Sequence, residues 1–444
     1  MGSDFVPSNK HYLDRQAGFE SNARSYPRRL PLAIRSACGV TVTDVEGKDY
    51  IDCLAGAGTL ALGHNHPVVV EAIRKHLTDG LPLHTLDLTS PTKDRFVHEL
   101  FATLPPSFAA RARIQFCGPT GADAIEASLK LVKTATGRRS ILAFRGGYHG
   151  HSHGTLAMMG NVGPKAPIAG LMPDVHFLPY PYQYRCPLAG RACSNPCDCS
   201  SLAGYVERML DDPESGIPPA AGMVLEVIQG EGGSIPAPDG WLRDIRRITS
   251  ERKIPLILDE IQTGWGRTGK LYAFEHSGIV PDVLVLSKAI GGGLPLSVIV
   301  YDKDLDQWAP GAHAGTFRGN VLGMTAGLAT LKFLRENDLP AHAAKMGDRL
   351  RTGICELQKR HAIIGDVRGR GLMIGVEIVD SAGNHDGPKA RRIQEECFRR
   401  GLIVEVGGRY SSVLRFLPPL IVTPNDIDAI LERLAGACGA VTEK

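Results

Sequence analysis

The stretch IPLILDEIQTGWGRTG, residues 254–269, indicates the fold, because an apolar strand runs directly into two acids, Asp259 and Glu260. A second stretch, VLVLSKAIGGGLP at residues 283–295, repeats this plan with an apolar strand that leads to Lys288 and three glycines. Continuous apolar, β-branched runs are typical of parallel strands that are buried on both faces. The two stretches therefore predict an α/β protein with polar residues at the carboxyl ends of its central strands.

Similar runs extend this pattern between about residue 110 and residue 300. We predict strands at residues 114–117, 141–144, 223–228, 254–258, 283–286 and 296–301. Between the first two, DAIEASLKLVKTATG has helical spacing, so we expect a helix that starts at Thr120 or Gly121. Thr120 and Asp123 are placed like a capping box at its start. The alternation predicts a largely parallel sheet covered by helices on both faces.

The chain has 444 residues, which is more than one hydrophobic core usually serves. A helical stretch at residues 321–360 is followed by short strands at 372–379, 402–406 and 413–416 and by two helices. We therefore predict an N-terminal segment, residues 1–75, that joins a C-terminal small α+β domain, residues 331–444, beside a large domain, residues 76–330. The Pro-, Gly- and Cys-rich segment 180–201 is interpreted as a surface insertion.

The composition is that of an ordinary globular protein, with 43% hydrophobic and 22% charged residues and a formal net charge of +3. It does not call for nucleic acid or a membrane surface as a partner. The apolar runs are far shorter than the roughly 20 residues that span a bilayer, and the first residues lack the core of a signal peptide. We expect a cytoplasmic protein.

The ten cysteines fall into two groups. Six are scattered through apolar stretches, which suggests reduced thiols rather than a disulfide framework. The other four, Cys186, Cys193, Cys197 and Cys199, have a spacing that only loosely approaches the paired CxxC motifs of zinc sites. We interpret this segment as a loop with free thiols and predict no metal site.

Three features could carry chemistry at the carboxyl edge of the sheet. Asp259 could bind a metal, act as a base or pair with a cationic ring. Lys288 follows a buried strand, and a structural salt bridge is as good an interpretation as catalysis. The third feature is GPTGADAIEASLK at residues 118–130, a glycine-containing turn at a helix start whose N–H groups suit a phosphate. Many helices begin this way, so the turn alone is weak evidence.

Together the three features specify one chemistry. A lysine amine forms an imine with an aldehyde, a helix start holds a phosphate and an aspartate faces a nitrogen, which are the needs of pyridoxal phosphate. A carboxylate about 4 Å from the ring nitrogen contributes roughly 4 kcal/mol at an effective dielectric near 20, or about three pKa units. That stabilisation keeps the nitrogen protonated, and the ring can then withdraw electrons.

Over nearly its whole length the sequence resembles the class III (ω-amino acid) aminotransferases, which are fold-type I pyridoxal-phosphate enzymes. The resemblance rests on motifs in the family's order: LGHNHP at 62–67, FRGGYHG at 144–150, EVIQGEGG at 226–233, DEIQTGWGRTG at 259–269, SKAIGGGLP at 287–295, AGTFRGN at 314–320 and RGRGLMIGVE at 368–377. So many ordered matches make chance very improbable. The resemblance implies a large domain with a mostly parallel central sheet and a smaller α+β domain.

The resemblance also assigns residues to the cofactor ring. It implies that Lys288 forms the imine, that Asp259 faces the ring nitrogen and that Gln262 lies near the phenolic oxygen. Tyr148 would stack on the ring face, and His149 beside it is included in the cofactor site. Without the surrounding motif, Tyr148 would be interpreted as a core aromatic.

For the cofactor's phosphate, the resemblance implies Thr120, Gly121 and Ala122 at the helix start. Thr316 would bring its hydroxyl to the phosphate from the neighbouring subunit. A homodimer, or a higher homo-oligomer, is therefore expected. As a lone threonine, Thr316 would be an ordinary loop residue.

For the substrates, Arg415 matches the arginine that this family uses for the α-carboxylate of a keto acid or amino acid. Glu231 matches the glutamate that can cover this arginine when an ω-amine enters. Taken singly, both would be ordinary surface charges. Together they imply an amino donor and a keto acid acceptor as small-molecule partners, bound in turn.

Three features resemble the family members that move the ω-amine of 2,4-diaminobutyrate to 2-oxoglutarate: FCGPTGADAIEASLK at 116–130, CLAGAGTLALGHNHP at 53–67 and PYPYQYRCP at 179–187. We therefore expect this reaction, or one with a close diamino acid, giving aspartate 4-semialdehyde and glutamate. The alternative is a racemase or epimerase, because the same lysine and cofactor support return of the proton from the opposite face. The Glu231 and Arg415 pair favours transamination, since an isomerase has no second substrate to accommodate.

Overall fold

The protein, seen in a computed structural model, is described here for residues 8–188 and 199–442. Its strands are β1 (Ile34–Cys38), β2 (Thr41–Asp44), β3 (Asp49–Asp52), β4 (Ala112–Phe116), β5 (Ser140–Phe144), β6 (Val175–Leu178), β7 (Ala220–Leu225), β8 (Ile228–Gln229), β9 (Ile235–Pro236), β10 (Leu256–Asp259), β11 (Val283–Leu286), β12 (Val298–Asp302), β13 (Ile364–Arg370), β14 (Met373–Ile378), β15 (Leu402–Ile403), β16 (Glu405–Gly407) and β17 (Val413–Phe416). Its α-helices are α1 (Asn9–Phe19), α2 (Ala55–Gly58), α3 (Pro67–Thr78), α4 (Pro91–Phe101), α5 (Pro106–Ala109), α6 (Gly121–Thr136), α7 (His153–Ala157), α8 (Ser200–Asp211), α9 (Asp239–Glu251), α10 (Val321–Glu336), α11 (Leu339–Arg360), α12 (Gly387–Arg399) and α13 (Pro424–Thr442).

The central sheet has seven strands in the order β4-β12-β11-β10-β7-β5-β6. Only β12 runs antiparallel to its neighbours in this sheet. The two sides of β10 show why the strands are continuously apolar: Ile257 packs in a cluster with α6, whereas Leu256 and Leu258 belong to the cluster that contains α8 and α9. Both faces are thus buried, as predicted, and the prediction of a mostly parallel α/β sheet is confirmed.

The parallel strands bring three features to one edge of this sheet. Asp259 is the last residue of β10, and its backbone is in register with Val285 of β11. Lys288 follows two residues after β11 ends, and Gly121 opens α6 after β4. Because these strands point the same way, their carboxyl ends and the following residues meet at one edge.

The start and the end of the chain meet in a separate sheet, β1-β2-β3-β15, in which β3 and β15 are parallel. Another antiparallel sheet, β13-β14-β17-β16, lies in the C-terminal part. In it Glu405 of β16 is directly opposite Arg415 of β17. The domain boundaries at residues 75 and 330 stay a prediction; residue 330 lies within α10.

Most predicted elements are present at or near their expected positions. The strands at 283–286 and 413–416 match their bounds, and α6 begins at Gly121 with Thr120 as N-cap. The helical stretch at 321–360 is two helices, separated at Asn337 and Asp338, and 223–228 is two strands rather than one. The strands β6 and β13 were not predicted.

Two local predictions are wrong. Thr120 makes no side-chain capping hydrogen bond, because Asp123 instead accepts hydrogen bonds from the Gly118 N–H and from Arg318. Segment 180–201 is not wholly at the surface: Tyr180 and Tyr182 are buried, and the Tyr180 hydroxyl donates to the carbonyl of Glu226 at 2.9 Å. The insertion is therefore anchored in the core at its start.

The six scattered cysteines, Cys38, Cys53, Cys117, Cys355, Cys397 and Cys438, carry free thiols, as predicted. Of the four-cysteine segment, Cys193 and Cys197 lie outside the described residues. Within residues 8–188 and 199–442, none of the helices combines the length and the apolar character needed to cross a membrane.

Candidate active site

A cavity of about 540 Å³ opens at the carboxyl edge of the central sheet. It is lined by Tyr26, Ala57, Thr120, Gly121, Ala122, Tyr148, His149, Gly150, His151, Ser152, Glu226, Ile228, Glu231, Asp259, Ile261, Gln262, Thr263, Lys288, Glu405 and Arg415. Every site residue predicted from the sequence is in this set except Thr316. The fold thus brings together predicted site residues that are up to 295 positions apart, from Thr120 to Arg415.

Lys288 is held in an unusual backbone conformation at the floor of the cavity. Its φ is 50°, in the left-handed region that costs a non-glycine residue about 1–3 kcal/mol. The preceding Ser287 fixes the turn by donating from Oγ to the Leu296 carbonyl at 2.9 Å. Burial lowers the pKa of Lys288 to about 8, although the charge of Asp259 opposes the shift. Within the described part of the chain its amine makes no hydrogen bond or ion pair.

Asp259 is oriented by two hydrogen bonds. The Nδ1 of His149 lies 2.8 Å from Asp259 Oδ2, and the backbone N–H of Ile261 donates to Oδ1 at 3.1 Å. Burial disfavours the charged form of His149, but the hydrogen bond and charge of Asp259 outweigh it and raise the pKa of His149. His149 therefore positions the Asp259 carboxylate.

Glu226 fixes the backbone on the opposite side of the cavity. Its Oε1 accepts from the N–H of Tyr148 at 2.9 Å, and its Oε2 accepts from the N–H of Gly230 at 2.8 Å. Burial raises the pKa of Glu226 to about 7, while His149 opposes the shift. These bonds place the Tyr148 ring at the cavity wall.

The start of α6 forms an anion cradle. The first N–H groups of a helix have no intrahelical acceptor, and here the first two helical residues, Gly121 and Ala122, line the cavity. A Cβ on Gly121 would lie 2.6 Å from Cδ1 of Ile261, so a larger residue would push these N–H groups out of place. Because Thr120 makes no capping bond, its hydroxyl is also available to a phosphate.

Gln262 is tied to the N-terminal part of the chain. Its Nε2 donates to the carbonyl of Ala57 at 2.9 Å. A Cβ on Gly230 would collide with Oε1 of Gln262, so glycine is required there for the amide to occupy its place. The amide oxygen of Gln262 therefore stays at the cavity wall. The family resemblance predicts that Gln262 lies near the phenolic oxygen of the cofactor ring.

Arg415 lies at the other end of the cavity and binds two carboxylates. Its Nη2 donates to Glu231 Oε2 at 2.5 Å and to Glu405 Oε2 at 2.6 Å. Burial lowers the pKa of Arg415, but Glu231 and Glu405 outweigh it, so the guanidinium stays charged. Its buried Nε has no hydrogen-bond partner within the described residues. The expected pairing of Glu231 with Arg415 is thus present.

Thr316 lies outside the cavity, on an exposed segment. Its carbonyl oxygen is 2.7 Å from His84 Nε2. The exposed ring of Phe317 packs edge-on against the same histidine. An exposed position for Thr316 fits a residue that serves a neighbouring subunit.

The cavity residues that sequence reasoning missed include Tyr26, Glu226 and Glu405. Glu226 stands in the EVIQGEGG motif, so its place in the family pattern could have marked it. Glu405 interrupts the apolar run LIVEV, and a lone charge in a buried strand is a signal for a paired or functional group. Tyr26 has no comparable signal in SYPRR.

The residues fit pyridoxal phosphate on their own chemistry. The Lys288 amine, which has no partner among the described residues, suits the aldehyde, the start of α6 suits the phosphate, and the buried Asp259 carboxylate suits a protonated ring nitrogen. The fold and this site define a pyridoxal-phosphate-dependent transferase of fold type I.

Comparison with known proteins narrows this class. The model of the aminotransferase class-III family matches residues 22–438. The diaminobutyrate–2-oxoglutarate aminotransferase of Rhizobium meliloti (strain 1021) is 56% identical over 98% of this chain and 94% of its own length. The protein of the same name from Haemophilus influenzae is 47% identical over 96% and 95%. An amine transaminase from an uncultivated Pseudomonas species, solved in its PLP-bound form, superposes with a TM-score of 0.83 at 28% identity, covering 95% of this chain and 97% of that one.

The chain therefore belongs to the class III aminotransferases. It is an enzyme that uses pyridoxal phosphate and takes an amino donor and a keto acid as substrates.

Proposed function

We propose that this aminotransferase moves the ω-amine of 2,4-diaminobutyrate to 2-oxoglutarate and so produces aspartate 4-semialdehyde and glutamate. The names of the Rhizobium and Haemophilus relatives support this choice of substrates. The observation that carries the proposal is the ion pair between Glu231 and Arg415, two residues that line the same cavity as Lys288. A covered arginine suits a donor whose reacting amine is far from its α-carboxylate.

We assign the cofactor contacts to residues of both cavity walls. Lys288 would hold the aldehyde carbon, Asp259 the ring nitrogen, and Gln262 the phenolic oxygen. Tyr148 would cover the ring face, and the start of α6 at Thr120, Gly121 and Ala122 would hold the phosphate. When bound, pyridoxal phosphate supplies a carbon that accepts the amino group and a ring that withdraws electrons from it.

Lys288 is the proposed acid and base of the reaction. An amine with a pKa of about 8 is about half neutral near pH 8, whereas an ordinary lysine is almost wholly protonated there. Freed Lys288 can therefore take a proton from the substrate carbon and deliver it to the aldehyde carbon of the cofactor. His149 supports this step at a distance by keeping Asp259 oriented.

Glu231 and Arg415 would alternate between two arrangements. The Glu231 side chain is 42% exposed, so it can turn away, while that of Arg415 is 2% exposed and stays. With Glu231 in place, the guanidinium is masked for the diamino acid. With Glu231 turned away, the freed donors of Arg415 bind the α-carboxylate of 2-oxoglutarate.

The proposed active unit is a homodimer or a higher homo-oligomer in the cytoplasm. Thr316 supports it, because this residue is exposed and outside the cavity of its own chain. The free thiols of the scattered cysteines suit a reducing compartment.

A donor panel tests the proposal. The enzyme would be offered 2,4-diaminobutyrate, ornithine, 4-aminobutyrate and several α-amino acids, each with 2-oxoglutarate or pyruvate, and glutamate or alanine would be measured. The highest kcat/KM is expected for 2,4-diaminobutyrate with 2-oxoglutarate. Activity on a single amino acid that persists without any keto acid would instead indicate the isomerase alternative, which none of the relatives named above supports.

A further inference from the structure

Arg415 is paired with two carboxylates, although its guanidinium carries only one positive charge. Glu231 and Glu405 both bind its Nη2, so two negative charges face one positive charge. Burial raises the pKa of Glu405, although Arg415 opposes the shift, which shows that its charged form is held there at a cost. A buried charge without a full partner destabilises a protein unless something else compensates it. This end of the cavity is therefore suited to accept a cation.

The two carboxylates differ in how firmly they are held. Glu405 sits on β16 directly opposite Arg415 on β17, so both side chains project from the same face of the sheet. The Glu405 side chain is 7% exposed, against 42% for Glu231. Glu405 must therefore stay beside Arg415 when Glu231 turns away.

The other groups around Glu405 do not remove the excess charge. The Tyr26 phenol is neutral, since burial and then the charges of Glu405 and Glu231 raise its pKa. Arg29 attracts Glu405 from farther away, but its guanidinium is 3.5 Å from the Val406 carbonyl, to which it donates. The Tyr26 hydroxyl lines the cavity beside Glu405 and hydrogen-bonds its carboxylate, but as a neutral donor it does not cancel the charge.

We propose that Glu405 determines donor specificity by binding the α-ammonium group of a diamino acid, and this inference rests on the proposed function. With the ω-amine at Lys288, the α-carbon of 2,4-diaminobutyrate reaches toward the end of the cavity that Glu405, Glu231 and Tyr26 line. The α-ammonium then pairs with the Glu405 carboxylate, and the α-carboxylate on the same carbon makes the added charge at this end zero. A donor with the same chain and no α-ammonium, such as 4-aminobutyrate, brings a carboxylate without the cation that Glu405 binds.

The test compares two variants and two donors. Glu405→Gln keeps the shape and removes the charge, whereas Glu405→Asp keeps the charge. A charged hydrogen bond of this kind changes affinity about 10- to 100-fold, so Glu405→Gln should raise KM for 2,4-diaminobutyrate by about that factor with a smaller change in kcat. Glu405→Asp should raise the KM for 2,4-diaminobutyrate by a smaller factor, because it keeps the negative charge. The donor half-reaction is followed alone as the decay of the cofactor's visible band without keto acid.

The matched control is 4-aminobutyrate, measured as a competitive inhibitor of the 2,4-diaminobutyrate reaction. Its inhibition constant should be unchanged or lower in Glu405→Gln. The KM for 2-oxoglutarate should also not rise, because Arg415 then faces one competing carboxylate fewer. Equal weakening of both donors, or a raised KM for 2-oxoglutarate, would mean that Glu405 only positions Arg415 and would overturn the proposal.

Wild-type behaviour separates the two proposals. If the wild-type enzyme makes no glutamate from 2,4-diaminobutyrate, the proposed function fails and this inference fails with it. If the wild type does so and Glu405→Gln keeps its KM for 2,4-diaminobutyrate, only the role of Glu405 is refuted.

Discussion

The two ends of the cavity are built in different ways. At one end, Lys288 and Asp259 follow strands of the central sheet and are fixed by backbone conformation and short-range hydrogen bonds. At the other end, Arg415 and Glu405 come from a separate sheet and Glu231 from the segment between β8 and β9. The residues of the first end are held rigidly. At the second end, the exposed carboxylate of Glu231 can change its position. In the proposed function, the chemistry is thus placed on rigid elements and the choice of substrate on an adjustable ion-pair cluster.

The largest effect should follow from removing the amine at the rigid end. Lys288→Ala loses both the attachment of the cofactor and the proton carrier, so kcat should fall by more than about 10⁴-fold with either substrate. The visible absorbance of the lysine-bound cofactor should vanish in the same protein. Circular dichroism serves as the control for folding, and a retained band would show that another residue holds the cofactor.

Asp259→Ala should have the next largest effect. Without the carboxylate, burial favours the neutral ring nitrogen, and proton transfer should slow by about 10²- to 10³-fold while the cofactor stays bound. Single-turnover rates with donor and with keto acid should fall together, because both halves use the same ring. A near-normal rate would refute the role of Asp259 in electron withdrawal.

Arg415→Ala should affect the two substrates unequally. It removes a charged partner of the keto acid's α-carboxylate, so KM for 2-oxoglutarate should rise by about 100-fold. The donor half-reaction should change much less, since Glu231 covers Arg415 at that stage. Equal losses in both halves would show that the two ends of the cavity are not separate in function.

The pH profile should give the smallest effect. In the aminated form of the enzyme Lys288 is a free amine, and its neutral form is the base. The single-turnover rate with 2-oxoglutarate should therefore rise about tenfold per pH unit below its pKa of about 8 and level off above it. A profile that is flat between pH 6 and 8 would contradict the lowered pKa.

The same contrast explains what could be predicted from the sequence. Asp259 and Lys288 each follow an apolar run, and parallel strands place their carboxyl ends together, so local patterns suffice. The predicted capping box at Thr120 is wrong because Asp123 instead accepts a hydrogen bond from Arg318, almost 200 positions along the chain. Glu405 was not predicted for a similar reason. The sequence pattern shows its strand, but long-range packing decides which face of the small sheet lines the cavity.

The parallel pairing of β3 with β15 has a consequence for synthesis. Strand β3 pairs with β2 soon after both are made, but its second partner begins only at residue 402, about 350 positions after Ile51. Lys288, Asp259 and the start of α6 emerge well before it, and contacts this distant in sequence form slowly. A nascent chain can thus bring Lys288 and Asp259 together while it still lacks Glu405 and Arg415.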